Sequence, residues 1–232
     1  MFDERYARQV MLPEIGEEGQ HRLASASVLL VGLGGLGSTV APSLAGAGVG
    51  RLGLCDPDVV SWSNLPRQTL YTEEEVGRPK CEMARRRLAA LSSATHFDCI
   101  AEGLTPENAE RLAASYDLVV DCCDNFATRY LIDDACAAAG RPWVYGSIGP
   151  FDGQVSLFNH RRGVRYATLY PDREALCSAP RRTLGVLGGV PAVIGAIEAT
   201  EALKLLAGME PSLDGRLLLF DLKTMHCETI DI

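Results

Sequence analysis

The chain has 232 residues, with 22 Lys+Arg against 30 Asp+Glu for a net charge of −8, 47% hydrophobic and 6% aromatic residues, and eight cysteines. That length buries an ample core without disulfides or metals, and the composition is that of an ordinary globular protein, neither a disordered tail nor a disulfide scaffold. The acidic balance argues against a nucleic-acid binder, whose footprint is basic.

Met1 to Leu12 carries Asp3, Glu4, Arg5 and Arg8 and lacks the apolar stretch of a secretory signal, which predicts a reducing cytoplasm and free thiols. No two cysteines stand in C-x-x-C spacing, so no paired-thiolate knuckle is written here. The four histidines are isolated and read as structural. Residues 1–26 read as an N-terminal helical arm. Leu23 to Gly50 runs 28 residues without a charge but holds seven glycines and Pro42, which suits a soluble strand and helix better than a membrane span.

Ser27 to Val31 is a continuous apolar run that stops at glycines, as a strand buried on both faces does. A small-residue helix from Leu36 to Ala45 follows, then a strand from Arg51 to Cys55 ending on Asp56. Strand, glycine loop, helix, strand and acid make a βαβ unit. Spacing predicts a helix over Lys80 to Leu91, with Arg85 to Arg87 on its wet face, a strand over His96 to Ala101, and a helix over Pro106 to Ser115. Asp117 to Asp121 is another buried strand, followed by a helix from Phe126 to Ala139 with Gly140 as its C-cap. Trp143 to Ile148 and Gly153 to Phe158 are strands in succession, which predicts antiparallel pairing. A helix from Pro191 to Ala207 is closed by Gly208, with Glu201 and Lys204 on its polar side. Arg216 to Leu222 and Cys227 to Ile232 complete the strands. The pattern is a single Rossmann-like α/β domain over 1–232, largely parallel in its half 27–150 and mixed or antiparallel in 151–232. Ser61 to Pro79 and Arg161 to Leu187 are long irregular regions of the kind that carry function.

The loop Gly32-Leu-Gly34-Gly35-Leu-Gly37 joins a strand to a helix N-terminus, where backbone amides and the helix dipole favour a phosphate. Asp56, 19 residues after Gly37, stands where a carboxylate takes ribose hydroxyls. An NAD-dependent dehydrogenase fits these features equally. The stretch after them differs: Asp56-Pro-Asp58 to Ser63-Asn64-Leu-Pro-Arg67-Gln68, then Gly77-Arg-Pro79-Lys80, then Asp121-Cys-Cys-Asp124-Asn125. Fixed cations and a metal-binding carboxylate beside a phosphate cradle are what exchange at a triphosphate needs.

Taken in order and at their spacing, these motifs, with Arg5-Tyr-Ala-Arg8-Gln9 before them and Gly195 to Lys204 after, resemble the ThiF/MoeB/HesA family of ubiquitin-activating-like adenylyltransferases. The resemblance covers nearly the whole chain. It implies ATP-dependent adenylation of the C-terminal glycine of a ubiquitin-like sulfur carrier protein, the thiamine-pathway (ThiS-type) carrier being favoured, and makes 151–232 the carrier-binding half. By the same resemblance Asp56 holds the ribose. Gly35, Ser63, Asn64 and Arg67 line the phosphates, with Gly32, Gly34, Gly37, Asp58 and Asn125 in the same motifs. Lys80 balances triphosphate charge, Asp124 binds Mg²⁺, and Arg8 enters the site of the second subunit of a homodimer.

Two departures follow. Arg165 and Thr168 stand where members of the group keep the first C-x-x-C pair of a zinc site, and the sequence ends before the second, so zinc is expected to be absent. Arg181 stands where many members keep a cysteine. The nearest thiol, Cys177, is a weak candidate nucleophile, with Arg173, Arg181 and Arg182 to supply a positive field. The adjacent Cys122 and Cys123 read as packed around a strand end. Competing readings are activation of the molybdopterin-synthase carrier, adenylation of a small carboxylate, an NAD-dependent oxidoreductase, and a non-catalytic scaffold.

Overall fold

A computed structural model describes residues 4–180 and 185–232. Arg181 and Arg182 lie outside the described residues. The helices, in chain order, are α1 (Ala7–Val10), α2 (Gly16–Ser25), α3 (Gly37–Ala47), α4 (Lys80–Leu91), α5 (Ala109–Ala114), α6 (Phe126–Ala139), α7 (Tyr166–Leu169), α8 (Arg173–Ser178) and α9 (Gly189–Ala207). The strands are β1 (Ser27–Val31), β2 (Arg51–Cys55), β3 (His96–Ile100), β4 (Leu118–Asp121), β5 (Trp143–Ile148), β6 (Asp152–Phe158), β7 (Arg216–Asp221) and β8 (His226–Asp231).

All eight strands join one sheet in the order β3-β2-β1-β4-β5-β6-β7-β8. The pairs among β1 to β5 are parallel and those from β5 to β8 antiparallel, so the predicted change of texture after Gly140 is borne out. Alternate residues of each central strand feed two cores. Val28, Leu30, Leu52, Leu54, Leu118 and Val120 pack under α2, α3, α4 and α9. Leu29, Val31, Val119, Trp143 and Tyr145 pack under α5, α6 and Tyr166 of α7. Helices on both faces are what make the inner strands apolar along their length. The sheet ends on β3, which carries His96 and Asp98, and on β8, which carries His226, Glu228 and Asp231.

Three expectations are corrected. The predicted helix over Pro106 to Ser115 starts at Ala109, because Asn108 closes a turn of its own: its Oδ1 accepts from Thr105 N at 2.9 Å and its Nδ2 donates to Gly103 O at 2.9 Å. The regions read as irregular contain a 3₁₀ turn (Glu73–Glu75) behind a Thr72 capping box, and the short helices α7 and α8. Glu201 is not on a wet face: it is 4% exposed, accepts from Leu213 N at 2.6 Å and receives Lys204 Nζ at 2.6 Å. A buried acid that secures the turn into β7 explains the i,i+3 pair better than surface charge pairing. Of the eight thiols, Cys55, Cys81, Cys122 and Cys136 are buried, Cys123 is half-buried, and Cys99, Cys177 and Cys227 are exposed; Cys122 and Cys123 both follow the end of β4, with Cys122 packed into the core.

Candidate active site

After β3 the chain returns to the far side of β1, so β1 and β4 are neighbours whose following segments diverge. Ligands of open α/β sheets bind at such a switch point, beyond the carboxyl ends of the strands. The loop 32–37 leaves β1 there. Gly32 sits at φ +99°, and a Cβ on it would lie 2.5 Å from Cys122 O, so only glycine lets the loop pass β4. Among the described residues the amides of Gly34, Gly35 and Leu36 have no acceptor within the protein. Three free amides at the positive end of α3 form an anion cradle.

Asp56 stands at the end of β2, 6% exposed, and accepts from Leu33 N at 2.7 Å and Asp58 N at 2.9 Å. Lys80 opens α4, and its buried Nζ lies 3.0 Å from Asp58 Oδ2 and 3.8 Å from Asp56 Oδ2. Cys81, next to it, donates to the Leu54 and Asp56 carbonyls; burial pushes its thiol up to about 11, so it is a packing group and not a nucleophile. The loop 61–68 is laced internally. Asn64 Oδ1 accepts from Ser61 N at 3.1 Å, Ser63 Oγ lies 3.0 Å from Ser61 Oγ, and Arg67 Nη1 donates to Ser63 O at 2.7 Å. Asp124, on the loop after β4, is exposed, and no partner holds its carboxylate among the described residues. Asn125 uses its side-chain oxygen to cap α6, accepting from Thr128 N at 2.9 Å, which leaves its amide nitrogen for other partners.

The structure thus brings Gly32, Gly34, Gly35, Gly37, Asp56, Asp58, Ser63, Asn64, Arg67, Lys80, Asp124 and Asn125 to one end of the sheet. Arg8 is not with them. It is exposed on α1, beside Gln9, which donates to Ala47 O at the C-terminal end of α3, the opposite end from the glycine loop. Cys177 is exposed on α8, against the other face of the sheet. Arg165 pairs with Asp133 at 2.9 Å and Asp134 at 3.0 Å, and Asp133 also accepts from Tyr166 N, so this segment is tied to α6 by charge and capping.

Three buried polar residues near the site had no role assigned from the sequence, although Gln68 and Glu198 stand within its motifs. Gln68 is 4% exposed beside Gly34, with its Oε1 unpartnered. Arg129 is 6% exposed and Glu198 fully buried, and neither Glu198 oxygen has a hydrogen-bond partner among the described residues. Burial, and after it the nearby Asp121, push the Glu198 carboxyl well above the usual range against the pull of Arg129. A signal for Arg129 existed: it shares the inward stripe of α6 with Tyr130, Ile132, Asp133 and Cys136.

Free amides, paired carboxylates and a buried cation at a switch point make this an α/β protein with a site suited to an anionic ligand. The chain belongs to the ThiF family, which it matches over residues 6–232. It is 47% identical over 224 residues to the "Sulfur carrier protein adenylyltransferase" of Thermus thermophilus, covering 94% of this chain and 83% of that one. It is 48% identical over 223 residues to the pig (Sus scrofa) "Adenylyltransferase and sulfurtransferase MOCS3", where it spans 94% of itself and 48%, about half, of the relative. Among solved structures it superposes on E. coli MccB in complex with MccA-N7isoASN at a TM-score of 0.87 and 22% identity, covering 99% of this chain and 72% of that one; that likeness is one of fold. No helix of the described residues is long and apolar enough to cross a membrane.

Proposed function

We propose that this chain is an ATP-dependent adenylyltransferase that activates the C-terminal glycine of a ubiquitin-like sulfur carrier, working as a homodimer in the cytoplasm. The observation that carries the reading is the buried Lys80–Asp56 pair, joined at its exposed end by Asp58, beside three free amides of the glycine loop, in a chain 47% identical to a protein named for that activity.

The carrier's carboxylate oxygen attacks the α-phosphorus of ATP. A new P–O bond forms, the bond to the β-phosphate breaks, and pyrophosphate leaves with its electrons. The carboxylate is already ionised at pH 7, so no side-chain base is required. The protein's share is positioning and charge stabilisation. The free amides of Gly34, Gly35 and Leu36 cradle phosphate oxygens, Asp56 takes the ribose with its remaining lone pairs, and Arg67 and Lys80 meet the charge that builds on the triphosphate. Ser63 and Asn64 shape the loop that presents Arg67. Asp124, exposed and without a partner among the described residues, fits Mg²⁺, which is held through one or two carboxylates plus phosphates and waters; the ion would supply charge neutralisation at the phosphates. The described residues hold no cluster of three or more His, Cys, Asp or Glu that could bind a metal by itself, so the nucleotide is needed to complete the site. Arg8, remote from its own chain's loop, acts in the site of the second subunit.

Thiamine- and molybdopterin-pathway carriers present the same group, a terminal glycine carboxylate, and the thiamine-pathway carrier remains the favoured substrate. The test is ATP–pyrophosphate exchange with each carrier, with small carboxylic acids and with no acceptor. Exchange that requires a carrier with an intact C-terminal glycine supports the reading. Exchange driven equally by a small acid sinks it in favour of the small-carboxylate alternative.

A further inference from the structure

The loop that carries Asp124 is held by its backbone. Arg129, buried between α6 and the sheet, donates from Nε to Asp121 Oδ2 at 3.1 Å and from Nη2 to Cys123 O at 3.0 Å and Gly146 O at 3.3 Å. Cys123 N donates back to Asp121 Oδ1 at 2.9 Å. The residue before Asp124 is therefore fixed through both its amide and its carbonyl, and the residue after it, Asn125, caps α6. On the other side of β5, Gly146 has no side chain and Glu198 of α9 closes against it, so the strand that receives Arg129 is clamped from both faces. The Asp124 carboxylate, between Cys123 and Asn125, has no partner among the described residues. Such an arrangement places a carboxylate at a defined point without neutralising it. A side-chain anchor would have consumed the charge, whereas a backbone anchor leaves it whole for a cation.

We propose that Arg129 is a positioning residue of the metal–nucleotide site: by tying the Cys123 carbonyl to Asp121 and β5 it sets where Asp124 stands, and so how strongly Mg²⁺ tightens ATP binding, without touching the nucleotide. The proposal rests on the assignment of Asp124 to Mg²⁺ above. Arg129→Lys tests it, since an ammonium keeps the charge but lacks the planar fork that reaches three acceptors. ATP is titrated calorimetrically into wild type and variant, once with saturating Mg²⁺ and once with EDTA, and amide exchange is followed at residues 122–125.

The expected result is that ATP affinity in EDTA stays within about twofold, that the gain on adding Mg²⁺ shrinks by about tenfold, and that exchange in the loop speeds up. A folded variant that keeps the full gain overturns the proposal, because a merely structural Arg129 has no reason to act on the metal-dependent increment alone. Should Arg129→Lys fail to fold, Asp121→Asn keeps the shape and weakens the same anchor, and a smaller loss of the increment is expected of it. Asp124→Ala run in parallel separates the two readings. If Asp124→Ala keeps the wild-type gain, the metal assignment falls and this proposal with it; if it loses the gain while Arg129→Lys keeps it, only the proposal falls.

Discussion

The ammonium of Lys80 lies 3.8 Å from the Asp56 carboxylate, with both side chains only 6% exposed. Asp58 takes the same ammonium at 3.0 Å but is 67% exposed. A buried cation already shared by two acids can turn toward a triphosphate without a large change in solvation. Lys80→Ala leaves Asp56 with only its two backbone donors, so it should lower unfolding stability by about 3 kcal/mol and carrier-dependent exchange by about 100-fold or more. Asp58→Asn, at the exposed end of the set, should cost less than about 1 kcal/mol. Denaturant melts and exchange assays on both variants check the contrast, and equal stability losses would contradict the burial argument.

Among the described residues Asp124 contributes no side-chain hydrogen bond or ion pair to the fold. Asp124→Ala should therefore shift Tm by no more than about 2 °C while removing carrier-dependent pyrophosphate exchange by about 100-fold or more. Exchange near the wild-type rate in this variant would show that the metal is held elsewhere.

Arg8 and Asp124 should complement each other between subunits. Arg8→Ala and Asp124→Ala are each expected to be inactive alone. In a randomly mixed symmetric dimer half the molecules are mixed, and each of these carries one site with both residues, so about a quarter of wild-type activity should return. Mixing and re-equilibrating the two variants measures this directly, and no recovery from dimers shown to exchange subunits would remove Arg8 from the site.

Glu198 makes stability depend on pH in a definite sense. A carboxyl whose pKa is higher folded than unfolded takes up a proton on folding throughout the interval between the two values. Burial, and then the neighbouring Asp121, raise that of Glu198 above its ordinary value of 4.5. Stability should therefore fall as pH rises above the ordinary carboxylate range. Glu198→Gln removes the ionisable group and keeps the shape, so its Tm should exceed that of wild type by about 3 °C or more at pH 8 and converge on it near pH 4. Parallel melting curves across the pH range would contradict a neutral buried acid.

Much of this was legible locally. The apolar runs of β1 and β4 stop at glycine and aspartate because the strands end at the switch point, and the Gly32 turn shows itself by residue type. Tyr166–Leu169 was not legible: its amides at Tyr166 and Ala167 are capped by Asp133, more than thirty positions earlier, and no periodicity within a window reports such a partner. Glu201 and Glu198 were hidden for a related reason. α9 lies between the sheet and the helices α2 and α3, so a residue that looks like part of a polar stripe is enclosed by neighbours distant in sequence. Asp56 was placed by its distance from the glycine loop, and Arg67, Lys80 and Asp124 by the family resemblance. That Asp56 and Lys80 are buried together while Asp124 stands free needed the fold.

The charged rims of the sheet bear on how another chain can approach. An edge strand offers an open row of amides and carbonyls to any extended peptide. Here one rim sets His96 and Asp98 in a knot with Arg51 and Tyr116, and the other sets Asp231 between Arg162 and Arg216. A strand laid along either rim would have to desolvate these pairs. Pairing along the sides of the sheet is thereby disfavoured, and concentrated protein should resist the edge-to-edge stacking that seeds fibrils.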